Sequence, residues 1–277
     1  MFKWYRKETF ALDPRWHKLR WGLLIASLSI LLIGWMLYTP PGFWGKMQGL
    51  GFAVCHQSPT HSFHAFGRSM PLCARCTGMY LGALIAILMQ ATRRKERLNA
   101  FPKTYFLVFF GLFLAGFAVD GFNSLFAKGF NIHLYDTQNW MRLTTGLGVG
   151  WGMGAMVGPA IHQSLWKKST DQPFFSKPIQ ILWLILFSAV PVAGMLLKID
   201  IITAIFSSLA AITVPFFLSF LHMLLVIMVT FKENSFDTWK QLLPYWLTGL
   251  LVAFVQIYIF SWVRVSAFGS WDPFLLP

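Results

Sequence analysis

The chain has 277 residues, 56% hydrophobic and only 12% charged, with 28 Phe and 13 Trp. An average soluble domain carries about a quarter charged residues, so a separate soluble fold is excluded: too much apolar surface would face water. The net charge of +13 does not point to nucleic acid, because the basic residues sit in runs between apolar segments, where anionic lipid and the positive-inside rule account for them.

The first apolar segment, residues 21–38, follows a tail holding six Lys and Arg. No A-x-A-like site comes after it, so it is expected to remain as a span. Thr39-Pro40-Pro41-Gly42 stops it. Residues 39–76 then read as a polar and aromatic loop, and a second span runs from Thr77 to just before Arg93. Further spans are expected over 105–126, 141–166, 179–197, 201–231 and 243–263. Pro215 is a site for a kink in the sixth, because proline lacks the helical donor. The boundary between the fifth and sixth rests on the short turn Lys198-Ile199-Asp200. The expected fold class is all-α: a polytopic transmembrane bundle of about seven spans, one membrane domain over 1–277, in the cytoplasmic membrane. With the N-terminus in the cytoplasm, that side receives 16 of the 23 Lys and Arg. The 39–76 loop and the C-terminus then face outward, and Ser270-Trp271-Asp272-Pro273-Phe274 reads as an interfacial anchor.

The distinctive chemistry is concentrated in that loop. All three cysteines (Cys55, Cys73, Cys76) and three of the seven histidines (His56, His61, His64) fall within 22 consecutive residues. Thiolate and imidazole are preferred ligands of zinc and other soft or borderline metals. Cys73-x-x-Cys76 lets two sulfurs grip one ion, with Cys55 as third ligand and His56 as the leading nitrogen ligand. Adjacent residues seldom bind one metal together, so His61 or His64 are substitutes for His56. Two other readings compete: thiol–disulfide exchange through Cys73 and Cys76 with Cys55 resolving, and small side chains packed against the bundle. Cys73 and Cys76 lie at the start of a helix, whose free N–H groups favour thiolate, and Arg68 and Arg75 would act the same way.

Asp120 is the one carboxylate well inside a span, where an ionisable group needs a partner. Asn123, three residues on, shares its face. Arg142 near the outward start of the fourth span is the expected partner of Asp120. If the site is catalytic, Asp120 would serve as general base or metal-supporting partner, Asn123 beside it, and Arg142 as anion binder for a lipid head group. Gly146, Gly150, Gly154 and Gly158 recur every four residues and make a smooth helical face for close packing. Gly78 and Gly82 give the second span a shorter version, so these two spans should pack tightly and bring Cys76 towards Arg142. His162 and His222 read as structural.

Taken together, Cys55-His56-Gln57, Pro59, Ser62-Phe63, Cys73, Arg75-Cys76, Gly78, Tyr80, Gly82, Asp120-Gly121, Asn139, Arg142 and Thr145-Gly146 form a pattern. It resembles the prokaryotic membrane-protein family labelled domain of unknown function 2085, DUF2085. His61 stands where that family's pattern has Arg. The resemblance covers about residues 50–155 and implies a shared membrane fold, without supplying an activity. From the residues, the leading expectation is a metal site, zinc first, at the extracytoplasmic face of a protein in contact with membrane lipids and open to homo-oligomer formation. A metal-dependent hydrolase or transferase acting on a lipid fits it. The alternatives are a membrane thiol-redox protein and a transporter or structural component with a metal-stapled loop.

Overall fold

The computed structural model describes residues 14–130, 132 and 134–272. Among them run eight α-helices: α1 (Pro14–Tyr38), α2 (Gly42–Phe52), α3 (Ala74–Ala91), α4 (Thr104–Phe130), α5 (Asn139–Leu165), α6 (Ile179–Leu196), α7 (Asp200–Val229) and α8 (Trp239–Phe268). Six of these, α1, α3, α4, α6, α7 and α8, are long and apolar enough to cross a bilayer. The protein is a helix bundle of the polytopic membrane class. Helix α5 is also long, at 27 residues, or about 40 Å at 1.5 Å per residue. Its glycines dilute its apolarity, which suits a helix covered by protein on most sides. The outer helices carry the lipid-type surface: Ile30 and Leu37 on α1 and Leu112 on α4 are largely exposed.

Bare backbone seats α3 on α5. A Cβ added to Gly78 would lie 2.2 Å from the Leu143 carbonyl oxygen, and one on Gly150 would lie 2.1 Å from that of Met79. Both distances are far inside van der Waals contact, so the helices touch main chain to main chain, as the four-residue glycine spacing predicts. Gly150→Ala is therefore expected to force the helices apart and to cost about 1–3 kcal/mol or more, as overpacking does. Gly111→Ala on α4 has nothing within 4 Å of the new methyl group, and should be neutral or stabilising by up to about 1 kcal/mol. Thermal unfolding in detergent, followed by tryptophan fluorescence, separates the two; equal stability of both variants would overturn the close-packing account.

The connections gather at two ends. At one, β3 (Leu98–Ala100) pairs in parallel with β4 (Thr170–Pro173), and Trp166 bridges to Phe236. The other end carries the cysteines. There the segment expected as a loop is built: α2, then a single turn at Pro59–His61, then the hairpin β1 (Ser62–Ala65) and β2 (Arg68–Cys73). Phe66 and Gly67 take positive φ (51° and 70°) at the hairpin tip, the pattern of a tight two-residue turn. The strained Phe66 is held by its N–H donating to Asp200 Oδ2 at 3.0 Å, which ties the hairpin to the start of α7. Trp271 packs its ring on Tyr38 and Phe52. The remainder of the expected C-terminal anchor, Pro273 and Phe274, and most of the basic N-terminal tail lie outside the described residues.

Candidate metal centre

Helix α3 begins at Ala74, three residues before the expected start of the second span, with Cys73 as its N-cap. This puts Cys76 in the first helical turn and Cys73 at the end of β2. The third sulfur comes from the opposite side. After α2 ends, Val54 and Cys55 donate to the Gly51 carbonyl, and the chain turns through Gln57 at φ 56°. Gln57 is pinned in that left-handed conformation by its side chain, whose Nε2 donates to Gln48 O at 2.9 Å and Pro71 O at 2.7 Å. The Cys-His-Gln sequence thus supplies a sulfur and the clamp that locates it.

The three sulfurs lie within 4.8 Å of one another. Three sulfurs bound to one zinc at about 2.3 Å would stand about 3.8 Å apart, so a small contraction makes a ligand set. Cys55 Sγ accepts the Cys73 N–H at 3.2 Å and the Gln57 N–H at 3.4 Å, bonds that favour a charged sulfur. Cys55 and Cys73 are 5% and 2% exposed. Crowding makes the sulfurs compete for one charge. The Cys55 thiol donating to it, then the Cys76 thiol and the nearby His56 ring, hold Cys73 well below the ordinary thiol value. Cys55, donating to Cys73, is pushed up to about 12. A divalent cation is the species that lets all three ionise together.

His56 stands at the edge of the cluster. It interacts with Cys73, and its Nε2 lies 3.3 Å from His61 Nδ1. His64 is turned away, 3.0 Å from Ser69 Oγ. The expected ion pair between Asp120 and Arg142 is corrected: Asp120 Oδ2 pairs with Arg75 Nη2. Arg75 sits in the first turn of α3 facing α4, also near Ser124 and the Phe117 ring, so it reaches Asp120 first. Its guanidinium is thus engaged by Asp120 and Ser124. Asn123 is occupied in holding the following connection: its Nδ2 donates to Tyr135 O and Thr137 Oγ1, and its Oδ1 accepts the Leu134 N–H at 2.7 Å.

Arg142 is 7% exposed, and its Nε is buried without a partner. Among the described residues the one hydrogen bond of its guanidinium goes to Asn139 Oδ1 at 2.9 Å. Both Cys73 and Asp120 lie within its electrostatic reach. Among the described residues, Arg75 and Arg142 thus share one buried carboxylate, Asp120. Sequence reasoning missed Arg264 near the end of α8. Its guanidinium donates to the carbonyls of Phe52 at 2.8 Å, Cys55 at 2.5 Å and His56 at 3.1 Å, with its Cζ 3.9 Å from the Phe52 ring centroid. The available signal was a lone arginine in an apolar run, which has to find carbonyls or a counterion.

The family described as "Predicted membrane protein (DUF2085)" matches residues 55–156. That stretch contains Cys55, Cys73, Cys76, Asp120 and Arg142, and excludes Arg264. An uncharacterised protein of Methanocaldococcus jannaschii is 31% identical over 153 residues, covering 53% of this chain and 92% of the relative. An uncharacterised protein of Methanothermobacter thermautotrophicus is 30% identical over 109 residues, covering 39% of this chain and 88% of the relative. No solved structure matches the chain.

Proposed function

The chain belongs to the DUF2085 family of predicted membrane proteins, and from that premise we propose that it is a metalloprotein of the cytoplasmic membrane whose Cys55, Cys73 and Cys76 hold one zinc-like ion. In this proposal seven helices cross the bilayer, α5 among them, with the N-terminus inside and the metal centre at the outward face. The observation that carries it is the convergence of three sulfurs from two separate segments, within 4.8 Å, on a clamped backbone. The donor set fits a soft or borderline divalent ion. Zinc held by three protein ligands offers Lewis acidity at its remaining position. His56, whose ring interacts with Cys73, is the side chain placed to close that position or to yield it.

Charge supports the same conclusion. Three thiolates and one divalent ion are net negative, and Arg142 is a buried cation that makes no ion pair among the described residues. Arg142→Gln is expected to weaken metal binding about 10–100-fold, the usual effect of removing an outer partner of a metal site. Arg142→Lys should recover part of it, keeping charge but losing the planar fork. Metal transfer to a chromophoric chelator measures both; wild-type affinity in Arg142→Gln would remove Arg142 from the site.

Thiol exchange with a partner protein is the weaker reading, because exchange needs access and two of the sulfurs are buried. Elemental analysis of chelator-free protein, with thiols titrated on the same sample, tests the choice. About one equivalent of zinc, with three thiols released on unfolding in chelator, is expected. No metal and two oxidised thiols would overturn the proposal in favour of redox chemistry at Cys73 and Cys76.

A further inference from the structure

At the other end of the α3–α5 pair, well away from the cysteines, lies a cavity of about 200 Å³ between these helices, α7 and α8. Its walls are apolar, with Ile87, Ile161, Phe220 and Trp239 among them, while Gln90, Arg94 and His162 supply the polar groups. A second cavity of about 220 Å³ shares Phe220 and Trp239 and continues past Phe216 and Trp246. The two make an apolar track along α7 and α8 with polar groups at one end only.

The polar groups have a definite sense. His162 Nδ1 accepts the Trp166 indole N–H at 2.7 Å. A neutral imidazole that accepts at one nitrogen donates at the other, so Nε2–H is left as a donor, without a partner among the described residues. Gln90 is fixed by its Nε2, donating to Gly154 O at 2.8 Å and Ala86 O at 3.2 Å. Of the nearby cations, Arg93 pairs with Glu96 and Arg97 lies over the Trp166 ring at 4.1 Å. Arg94 makes no ion pair among the described residues. One fixed neutral donor and one free guanidinium select an oxygen anion, and the apolar track selects a chain attached to it.

We propose that this is a binding site for an anionic phospholipid of the adjacent leaflet. Its phosphate would take Arg94 and His162 Nε2–H, and one acyl chain would lie along Ile161, Phe220 and Trp239. Basic pockets between membrane helices bind acidic head groups in this way. The apolar walls disfavour free phosphate as the occupant, and the basic rim disfavours a neutral lipid.

Native mass spectrometry of the detergent-purified full chain tests it, by titration with dioleoyl phosphatidylglycerol and, separately, dioleoyl phosphatidylcholine. The wild-type chain should retain one phosphatidylglycerol with about fivefold preference, the effect of one surface cation on an anionic lipid. Arg94→Gln should bring the two lipids level. Ala91→Trp, filling the cavity from α3, should reduce retention of both. Metal content and thermal unfolding, read on the same samples, report the fold and the distant cysteine site independently. Equal retention of the two lipids by the wild-type chain would overturn the proposal. So would a phosphatidylglycerol preference that survives both substitutions.

Discussion

Cys73→Ser is expected to purify with less than about a hundredth of the wild-type metal affinity, since even outer partners of a metal ligand are worth 10–100-fold. The oxygen is a poorer donor to a soft site, stays protonated at neutral pH, and also removes the sulfur that Cys55 and Cys76 contact. Cys55→Ser and Cys76→Ser should behave alike, because a three-sulfur set has no spare member. His56→Ala should cost less, as its ring stands at the edge of the cluster. His64→Ala, bonded to Ser69 instead, should leave metal content unchanged. Full metal content in Cys73→Ser would sink the ligand assignment. Metal loss confined to the three cysteines, with both His56→Ala and His61→Ala unaffected, would mean that neither histidine fills the remaining position.

The fold was legible where its cause is local and periodic. Apolar runs gave most of the long helices to within a few residues, though α1 starts at Pro14, seven residues before the expected span, and the four-residue glycine spacing anticipated the contact of α3 with α5. The turn expected around Lys198-Ile199-Asp200 falls between α6 and α7, which starts at Asp200: Lys198 takes a positive φ of 56° and Ile199 is extended, so one helix ends before the next begins. What stayed hidden depends on direction around a helix axis. Depth alone made Arg142 the partner of Asp120, whereas the rotation of α3 presents Arg75 to α4. Residues 39–73 gave no periodic signal because α2 is short and glycine-rich. Its glycines accommodate close backbone, as where Gly51 faces the Pro71 carbonyl oxygen. Cysteine and histidine spacing identified the site's chemistry. It could not identify Gln57 as its clamp or Arg264 as the cation holding the Phe52, Cys55 and His56 carbonyls.

Asp120→Leu is expected to destabilise the chain by about 3–5 kcal/mol, the cost of breaking a buried ion pair from one side. Asp120 is 2% exposed and neutralises Arg75 between α3 and α4. Without it, Arg75 and Arg142 would stand as two cations with no carboxylate beside a helix N-terminus that is itself positive. The double variant Arg75→Met/Asp120→Leu removes the cation together with its partner and should recover most of that loss. Thermal unfolding of the four chains in one detergent closes the double-mutant cycle, and a coupling energy of at least about 2 kcal/mol is expected for groups in contact. Metal content on the same four samples divides structure from chemistry. If Asp120 acts only through Arg75, the double variant regains metal along with stability. Stability restored without metal would mean that the carboxylate acts on the centre directly, as a base or an outer partner of the ion. In that case the sequence-level assignment of Asp120 to the chemistry would stand, despite its pairing with Arg75.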